Sequence, residues 1–250
     1  MSGGEARYGA RVPPRYPVRS GSTPPPLPPE TRTVGQLVAE SIRCYAEHWK
    51  LALLIGLPAA VLSSAAAGFG RTETLTIVPV VGAVAATSSF VAACCVVWGR
   101  PLRSSESMKA FLVGVVVWVP FPVLAAFFVL PGLAWLALLG MAVPAAVVEG
   151  LGVSQALRRG LQLARADYVH ALGSLATLAL LVFITQIAAS LLLQNYADNS
   201  ERVAAFLAGL VLSPLLFFGG ALLYGDQVTR VGAGPRSTRR GHVPDGDAAQ

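Results

Sequence analysis

The chain has 250 residues, of which 54% are hydrophobic and only 13% are charged, with a formal net charge of +6 and a mean hydropathy of +0.60. A water-soluble domain of this length needs about 25% charged residues to cover its surface. The composition therefore excludes an ordinary soluble enzyme, a disordered chain, a disulfide scaffold and a nucleic-acid-binding domain, and it indicates a membrane protein.

Residues 1–32 form a predicted disordered tail that is rich in proline and arginine. Eight of the 18 prolines fall in this segment, and five of them lie in the run 24–29. Such a run adopts the polyproline II helix, which cannot join a packed core. The tail is either a ligand for a proline-binding domain or a spacer between its basic tip and the membrane.

An amphipathic helix is predicted to lead from Thr33 towards the first membrane span. Thr33 and Gln36 match the pattern of a capping box at a helix N-terminus. Apolar residues then recur at helical spacing on one face, and they are Val34, Val38, Ile42, Tyr45 and Trp49. Residues 153–168 repeat the design, with arginines on one face and small or apolar residues on the other. We expect this second helix to lie flat on the membrane surface.

Five gaps between charged residues, each 20 to 39 residues long, predict the membrane spans. A helix needs about 20 apolar residues to cross the hydrocarbon core. Four gaps fit one span each, and the gap 110–148 fits two spans with a turn at Pro131–Gly132. The predicted spans are 51–68, 76–98, 110–130, 133–149, 169–193 and 203–224. The segments are apolar on every face, which favours helices over barrel strands, so the predicted fold is an all-α integral membrane protein with six transmembrane helices.

The order of these elements predicts three repeats, each an interfacial helix followed by a two-span hairpin. The segment 104–109 is the shortest of the three interfacial helices. Pro120 and Pro122 lie inside the third span, which is therefore either continuous or broken. The membrane domain covers 33–230, and residues 231–250 form a second disordered tail.

The cationic side chains predict the orientation. Seventeen Lys and Arg residues fall on the side that carries both predicted tails, whereas the other side carries Arg71 and Arg202. Lys and Arg mark the cytoplasmic loops of membrane proteins. We therefore expect both tails to be cytoplasmic, the location to be the bacterial inner membrane, and the partners to include anionic inner-leaflet lipids but no nucleic acid.

The sequence contains no recognisable catalytic, cofactor or metal motif. HExxH, GxSxG and P-loop patterns do not occur, so we expect neither a cofactor nor an enzymatic activity. Glu149 is expected to pair with Arg158 or Arg159, and Asp226 with Arg230, as structural ion pairs; the alternative is that these groups grip a lipid headgroup or an anionic solute. The candidate lipid or partner contacts are Arg100, Arg158, Arg159, Asp226 and, inside a span, Gln186.

Three short segments resemble conserved motifs of one bacterial membrane family. Gly99–Lys109 looks like its GRP…EAL(R) loop, Val153–Leu163 resembles its ALRRSWxL helix with Gly160 in place of the usual Ser, and Leu223–Arg230 is similar to its closing YYDLRxR. This family is the glycerophosphoryl diester phosphodiesterase membrane domain, which has stand-alone actinobacterial relatives of unknown function. The resemblance implies a membrane domain without established catalytic residues. The fused phosphodiesterase barrel needs at least about 200 residues, which the tail after the last span does not provide.

These features predict a non-catalytic membrane scaffold or regulatory partner at the cytoplasmic leaflet, with a membrane or cytoplasmic protein as its partner. The alternative is a transporter or lipid-handling permease, because discontinuous helices often line substrate sites. An intramembrane enzyme using His48 or His170 is the third hypothesis.

Overall fold

The computed structural model describes residues 32–66, 70–101, 104–193 and 200–232. These residues are 92% helical and include no β-strand. They form ten α-helices, which are α1 (Val34–Glu47), α2 (Trp49–Ala66), α3 (Arg71–Trp98), α4 (Ser104–Trp118), α5 (Pro120–Phe127), α6 (Val129–Leu139), α7 (Ala142–Glu149), α8 (Val153–Ala166), α9 (Tyr168–Leu193) and α10 (Ser200–Gly232). Residues 1–31 and 233–250, which make up almost all of the two predicted tails, lie outside the described part of the chain.

Six helical segments are long and apolar enough to cross a membrane, which confirms the prediction of an all-helical, six-span membrane protein. They are Trp49–Ala66, Thr76–Trp98, Ser104–Leu124, Leu130–Glu149, Tyr168–Ala189 and Arg202–Gly232. In the fourth, 61% of the most apolar window is buried inside the protein, against 22% in the first and the fifth. The fourth span, formed by α6 and α7, and the sixth, at 56%, are therefore the most enclosed of these spans. The three-repeat arrangement stays a prediction.

The turn between the third and fourth spans lies at Phe128, and the predicted turn at Pro131–Gly132 is wrong. Phe128 is extended, with φ −153° and ψ 138°, and it separates α5 from α6. Pro131 falls in the first turn of α6. Backbone N–H groups in a first helical turn have no intrahelical acceptor, so a proline there costs no hydrogen bond. The Pro-Gly pair therefore marks the start of a helix and not the turn.

The third span is interrupted just before its prolines. Helix α4 ends before Val119 and α5 begins with Pro120, yet Val119 keeps helical angles of φ −62° and ψ −45°. Its N–H also donates to the Val115 carbonyl at 3.0 Å, so the backbone stays helical through the interruption and forms no re-entrant loop. Pro120 and Pro122 supply no N–H to the carbonyls four residues earlier, at Val116 and Trp118. Between them, the Val117 carbonyl oxygen accepts from the indole Nε1 of Trp135 at 2.8 Å, which ties α4 to α6 at the interruption.

Helix α1 begins at the predicted capping box, and its packed face overlaps the predicted one only in part, since Val38 and Tyr45 pack against the core. The Thr33 hydroxyl accepts from the Gln36 N–H at 3.4 Å, and the Gln36 Oε1 accepts from the Thr33 N–H at 2.8 Å. The buried residues are Leu37 and Ser41, however, whereas Ile42 on the predicted apolar face is 51% exposed. Both sides of α1 carry small or apolar residues, so the pattern alone does not tell which side meets α9 and α10.

Helix α8 packs on the bundle through small residues. Its buried face consists of Ala156, Gly160, Leu163 and Ala164. At Gly160 an added Cβ would lie 2.6 Å from the backbone nitrogen of Ala142 in α7, so no side chain fits there. Helices α4, α6, α7 and α10 cover this face, and protein therefore takes the place of the lipid that a helix lying flat on a membrane would contact. The opposite face exposes Arg158 and Arg165.

Candidate functional site

The ion pairs between distant helices gather at one end of the bundle, which we call the charged end. There α1 begins, α3 and α7 terminate, α8 packs across the bundle, and α10 ends. Two groups of side chains meet there. The Asp226 cluster consists of Arg32, Asp167, His170, Asp226, Gln227 and Arg230. The Glu149 cluster consists of Arg100, Glu106, Glu149, Arg159 and Tyr224.

A buried ion pair holds the Asp226 cluster together. The Nη1 of Arg32 lies 2.8 Å from the Oδ1 of Asp226, and the two side chains are only 7% and 0% exposed. Burying two charges is costly unless they pair closely and form further hydrogen bonds. Arg32, which the sequence analysis placed in the tail, therefore belongs to the folded domain and fastens the segment before α1 to the end of α10.

Arg230 extends this cluster to the turn between α8 and α9. Its Nη1 lies 2.5 Å from the Oδ2 of Asp167, and its Nη2 donates to the backbone carbonyl of Arg32 at 2.8 Å. The same Nη2 is 3.2 Å from the Nε2 of His170. The other carboxylate oxygen of Asp167 accepts from the backbone N–H of His170 at 3.1 Å, in the first turn of α9. A single guanidinium thus connects three separate parts of the chain.

The Asp226 cluster retains hydrogen-bonding capacity after these pairs are made. Within the described part of the chain, the Oδ2 of Asp226, the Oε1 of Gln227 and the Nε of Arg230 are buried and have no hydrogen-bond partner. Gln227 uses its amide nitrogen to donate to the Asp167 carbonyl at 3.3 Å. An unsatisfied buried polar atom costs about 1–3 kcal/mol. These atoms remain available at this position for water or a small polar group.

The Glu149 cluster joins α7, α8 and α10. The Oε1 of Glu149 accepts from the Tyr224 hydroxyl at 2.6 Å and from the Arg159 Nε at 3.0 Å. Trp98 packs edge-on against the Tyr224 ring, with the ring centroids 5.8 Å apart. Because one carboxylate oxygen receives donors from two helices, Glu149 fixes the end of α7 between α8 and α10.

Arg100 satisfies the C-terminus of α7. Its Nη1 donates to the backbone carbonyl of Val148, and its Nη2 lies 3.6 Å from a carboxylate oxygen of Glu106. Helix C-termini carry free carbonyls and a partial negative charge, which a guanidinium stabilises. Gly150 follows with φ +69°, in the left-handed region that glycine adopts without strain. The loop containing Arg100 is thereby anchored to α7.

The structure brings three of the five candidate residues into these clusters. Arg100 and Arg159 belong to the Glu149 cluster and Asp226 to its neighbour, whereas Arg158 is exposed on α8. Gln186 is half-buried in α9, about 28 Å along that helix from Asp167 at 1.5 Å per residue. It therefore belongs to neither cluster.

The structure identifies the ion-pair partners of Glu149 and Asp226, and the partner of Asp226 differs from the predicted one. Glu149 pairs with Arg159, one of the two arginines considered. Asp226 pairs with Arg32 instead of Arg230, because the Arg230 guanidinium reaches across to Asp167. Arg32 and Asp167 were not predicted as members of the site. The one signal for Arg32 was its position directly before the capping box.

The two clusters offer ion pairing and hydrogen bonding. Among the described residues, no three His, Cys, Asp or Glu side chains are placed to hold a metal ion. His48 and His170 contact different groups, since the Nδ1 of His48 lies 3.2 Å from the Cys44 carbonyl oxygen and His170 meets Arg230. At the charged end, Arg32, Arg100, Arg159 and Arg230 pair with carboxylates of the same chain.

Comparison of the chain with models of protein families, with curated protein sequences and with solved structures finds no match in any of the three. The resemblance to the glycerophosphoryl diester phosphodiesterase membrane domain therefore stays a prediction from the three short motifs.

Proposed function

We propose that the chain is a non-catalytic scaffold or regulatory protein of the bacterial inner membrane that presents a basic surface at the cytoplasmic leaflet. The arginine face of α8 is the observation that supports this most directly. Arg158 and Arg165 are exposed on one side of α8, while Gly160 and Ala164 on the other side are buried against the bundle. Packing and the Glu149–Arg159 ion pair hold this surface in place. A rigid basic surface suits an acidic protein partner together with anionic lipids.

Copurification tests this proposal. We expect crosslinking in native membranes, followed by purification in mild detergent, to recover a stoichiometric protein partner. The double substitution Arg158→Glu and Arg165→Glu should reduce its recovery at least about tenfold, because like charges then face each other across the contact. Arg202→Glu, a charge reversal at the opposite end of the fold, is the matched control and should recover the partner as the unaltered protein does. The absence of any stoichiometric partner, or equal recovery with both variants, contradicts the proposal.

The orientation part of the proposal places the charged end in the cytoplasm. We expect a membrane-impermeant maleimide to label a Ser200→Cys variant in intact cells, and to label a Ser104→Cys variant only after lysis. The native Cys44 should react slowly in either case, because burial raises the pKa of its thiol to about 11 and the thiolate is the reactive form. Labelling of the unaltered protein measures the background from the native cysteines. The reverse labelling pattern would place the charged end outside the cytoplasm.

A lipid-handling permease is the second candidate, and the interrupted helices favour it. Trp118, at the end of α4, lines an apolar cavity of about 30 Å³ together with Gly140 and Met141, which separate α6 from α7. Discontinuous helices around a cavity are common in transporters. Deletion of the protein should then change the distribution of a lipid between leaflets or its flux across the membrane, and an unchanged distribution and flux eliminate this candidate.

A further inference from the structure

A groove of about 220 Å³ lies between α2 and α3, away from both charged clusters. Its walls come from Leu51, Leu54 and Pro58 on α2 and from Ser88, Ala92 and Val96 on α3. The small residues Ser88 and Ala92 leave the space between the two helices unfilled. At its floor the Ser89 hydroxyl donates to the Ile55 carbonyl at 2.7 Å, which holds the helices together there.

The groove opens towards the position of the lipid and has an apolar lining. Leu51 is 45% exposed and Leu54 is 64% exposed, so both side chains form its outer walls. The serine hydroxyls at the groove already have acceptors, since Ser88 donates to the Ala85 carbonyl of its own helix at 2.9 Å and Ser89 donates to Ile55. An occupant therefore needs no polar atoms inside the groove.

The groove extends through only one leaflet. Its α2 residues lie in the first turns after Trp49, and its α3 residues lie in the last turns before Trp98. From Leu51 to Pro58 the helix rises about 10 Å, whereas the hydrocarbon core is about 30 Å thick. A transmembrane helix of a partner or of a second copy would need a groove along the whole span. A single acyl chain entering from the charged end fits this length.

Lys50 lies one helical turn before Leu54, on the side of α2 that carries the outer wall of the groove. Lys50 directly precedes Leu51 and is exposed, and its ammonium lies 5.5 Å from the ring centroid of Trp49. Trp49 is itself 54% exposed at the start of the span. Tryptophan and lysine at a helix end take positions at the level of the headgroups. A phosphate placed there has an ammonium partner, while the chain below it enters the groove.

We propose that the α2–α3 groove binds one acyl chain of an anionic phospholipid whose phosphate contacts Lys50. This deepens the proposed function by naming a lipid that the scaffold binds, and it rests on that proposal only in assigning this leaflet to the cytoplasmic side. In the protein, the small side chains of Ser88 and Ala92 give the site its shape, and Lys50 gives it a preference for anionic lipids.

Native mass spectrometry of the full chain, released from micelles with added phosphatidylglycerol or phosphatidylcholine of identical acyl chains, tests the site. The unaltered protein should retain phosphatidylglycerol about fivefold better than phosphatidylcholine, the preference expected of one cation near a lipid phosphate. Ser88→Leu fills the groove and should lower retention of both lipids about tenfold, since about two methylene groups lose their contacts. Lys50→Gln should remove the preference for phosphatidylglycerol and leave the retention of phosphatidylcholine unchanged.

Thr185→Leu is the matched control. Thr185 is exposed on α9 and its hydroxyl donates to the Leu181 carbonyl of the same helix at 2.8 Å, just as Ser88 donates within α3. This variant should retain both lipids as the unaltered protein does, and all variants should unfold at the same temperature. Equal retention by the Ser88→Leu protein overturns the proposal. So does a homodimer in the mass spectrum that Ser88→Leu abolishes, because a second copy would then occupy the groove. Neither result bears on the protein partner tested through Arg158 and Arg165.

Discussion

Replacing Asp226 with alanine is expected to lower the free energy of unfolding by about 3–5 kcal/mol, because the buried guanidinium of Arg32 then loses its carboxylate. The two side chains are almost completely buried and their charged atoms lie 2.8 Å apart. Removing one member of such a pair leaves an uncompensated charge in a medium that solvates it poorly. Denaturant titration of the purified protein in mixed micelles measures the effect.

Two further variants separate the buried charge from general damage. Arg32→Met combined with Asp226→Leu removes both charges, and it should cost clearly less than Asp226→Ala alone, since no buried charge remains. Arg43→Ala breaks the pair with Glu47 on the exposed side of α1, where the Arg43 Nε lies 2.9 Å from the carboxylate. Exposed pairs contribute little, so the unfolding midpoint should stay almost unchanged. If the double variant is as unstable as Asp226→Ala, the unpaired charge of Arg32 is not what destabilises the Asp226→Ala protein.

The Arg32–Asp226 pair also shows why the candidate site was only partly predictable. The two residues are 194 positions apart, and helical periodicity tells which residues share a face but not which distant helix meets that face. Sequence patterns did predict contacts between residues that are close together in the chain. The Thr33–Gln36 capping box involves residues three positions apart, and the structure confirms both of its hydrogen bonds.

The six spans were predictable because the lipid environment excludes unpaired charge. Every gap of 20 or more uncharged residues corresponds to one or two helical spans, since a chain in the hydrocarbon core has no water to hydrogen-bond its backbone groups. The position of the turn between the third and fourth spans is not marked by charged residues in this way. Both Phe128 and Pro131 lie in an apolar stretch, and the structure places the turn at Phe128 with Pro131 in the next helix. A proline indicates the end of one helix or the start of another, and sequence alone does not distinguish these outcomes.

Close helix crossings were equally hidden, and the contact between α2 and α10 is the clearest case. Pro214 in α10 has no N–H, so the carbonyl of Leu210, four residues earlier, loses its helical donor. This carbonyl oxygen lies against Gly56 of α2, where an added Cβ would stand only 2.2 Å from it. Gly209 meets the backbone of Ala60 in the same way, at 2.8 Å. Gly56 of α2, together with Gly209 and Pro214 of α10, thus forms one close helix crossing.

Gly56→Ala is therefore expected to destabilise the protein by about 1–3 kcal/mol or more, because the new methyl group forces the two helix backbones apart. The matched control is Gly35→Ala on α1, where nothing lies within 4 Å of the added Cβ. Alanine is favoured over glycine inside a helix by about 1 kcal/mol, so this variant should be as stable as the unaltered protein or more stable. The same chemical change thus has opposite signs at two positions, which denaturant titration under identical conditions resolves. If Gly56→Ala unfolds at the same denaturant concentration as Gly35→Ala, the α2–α10 crossing is wider than the structure places it.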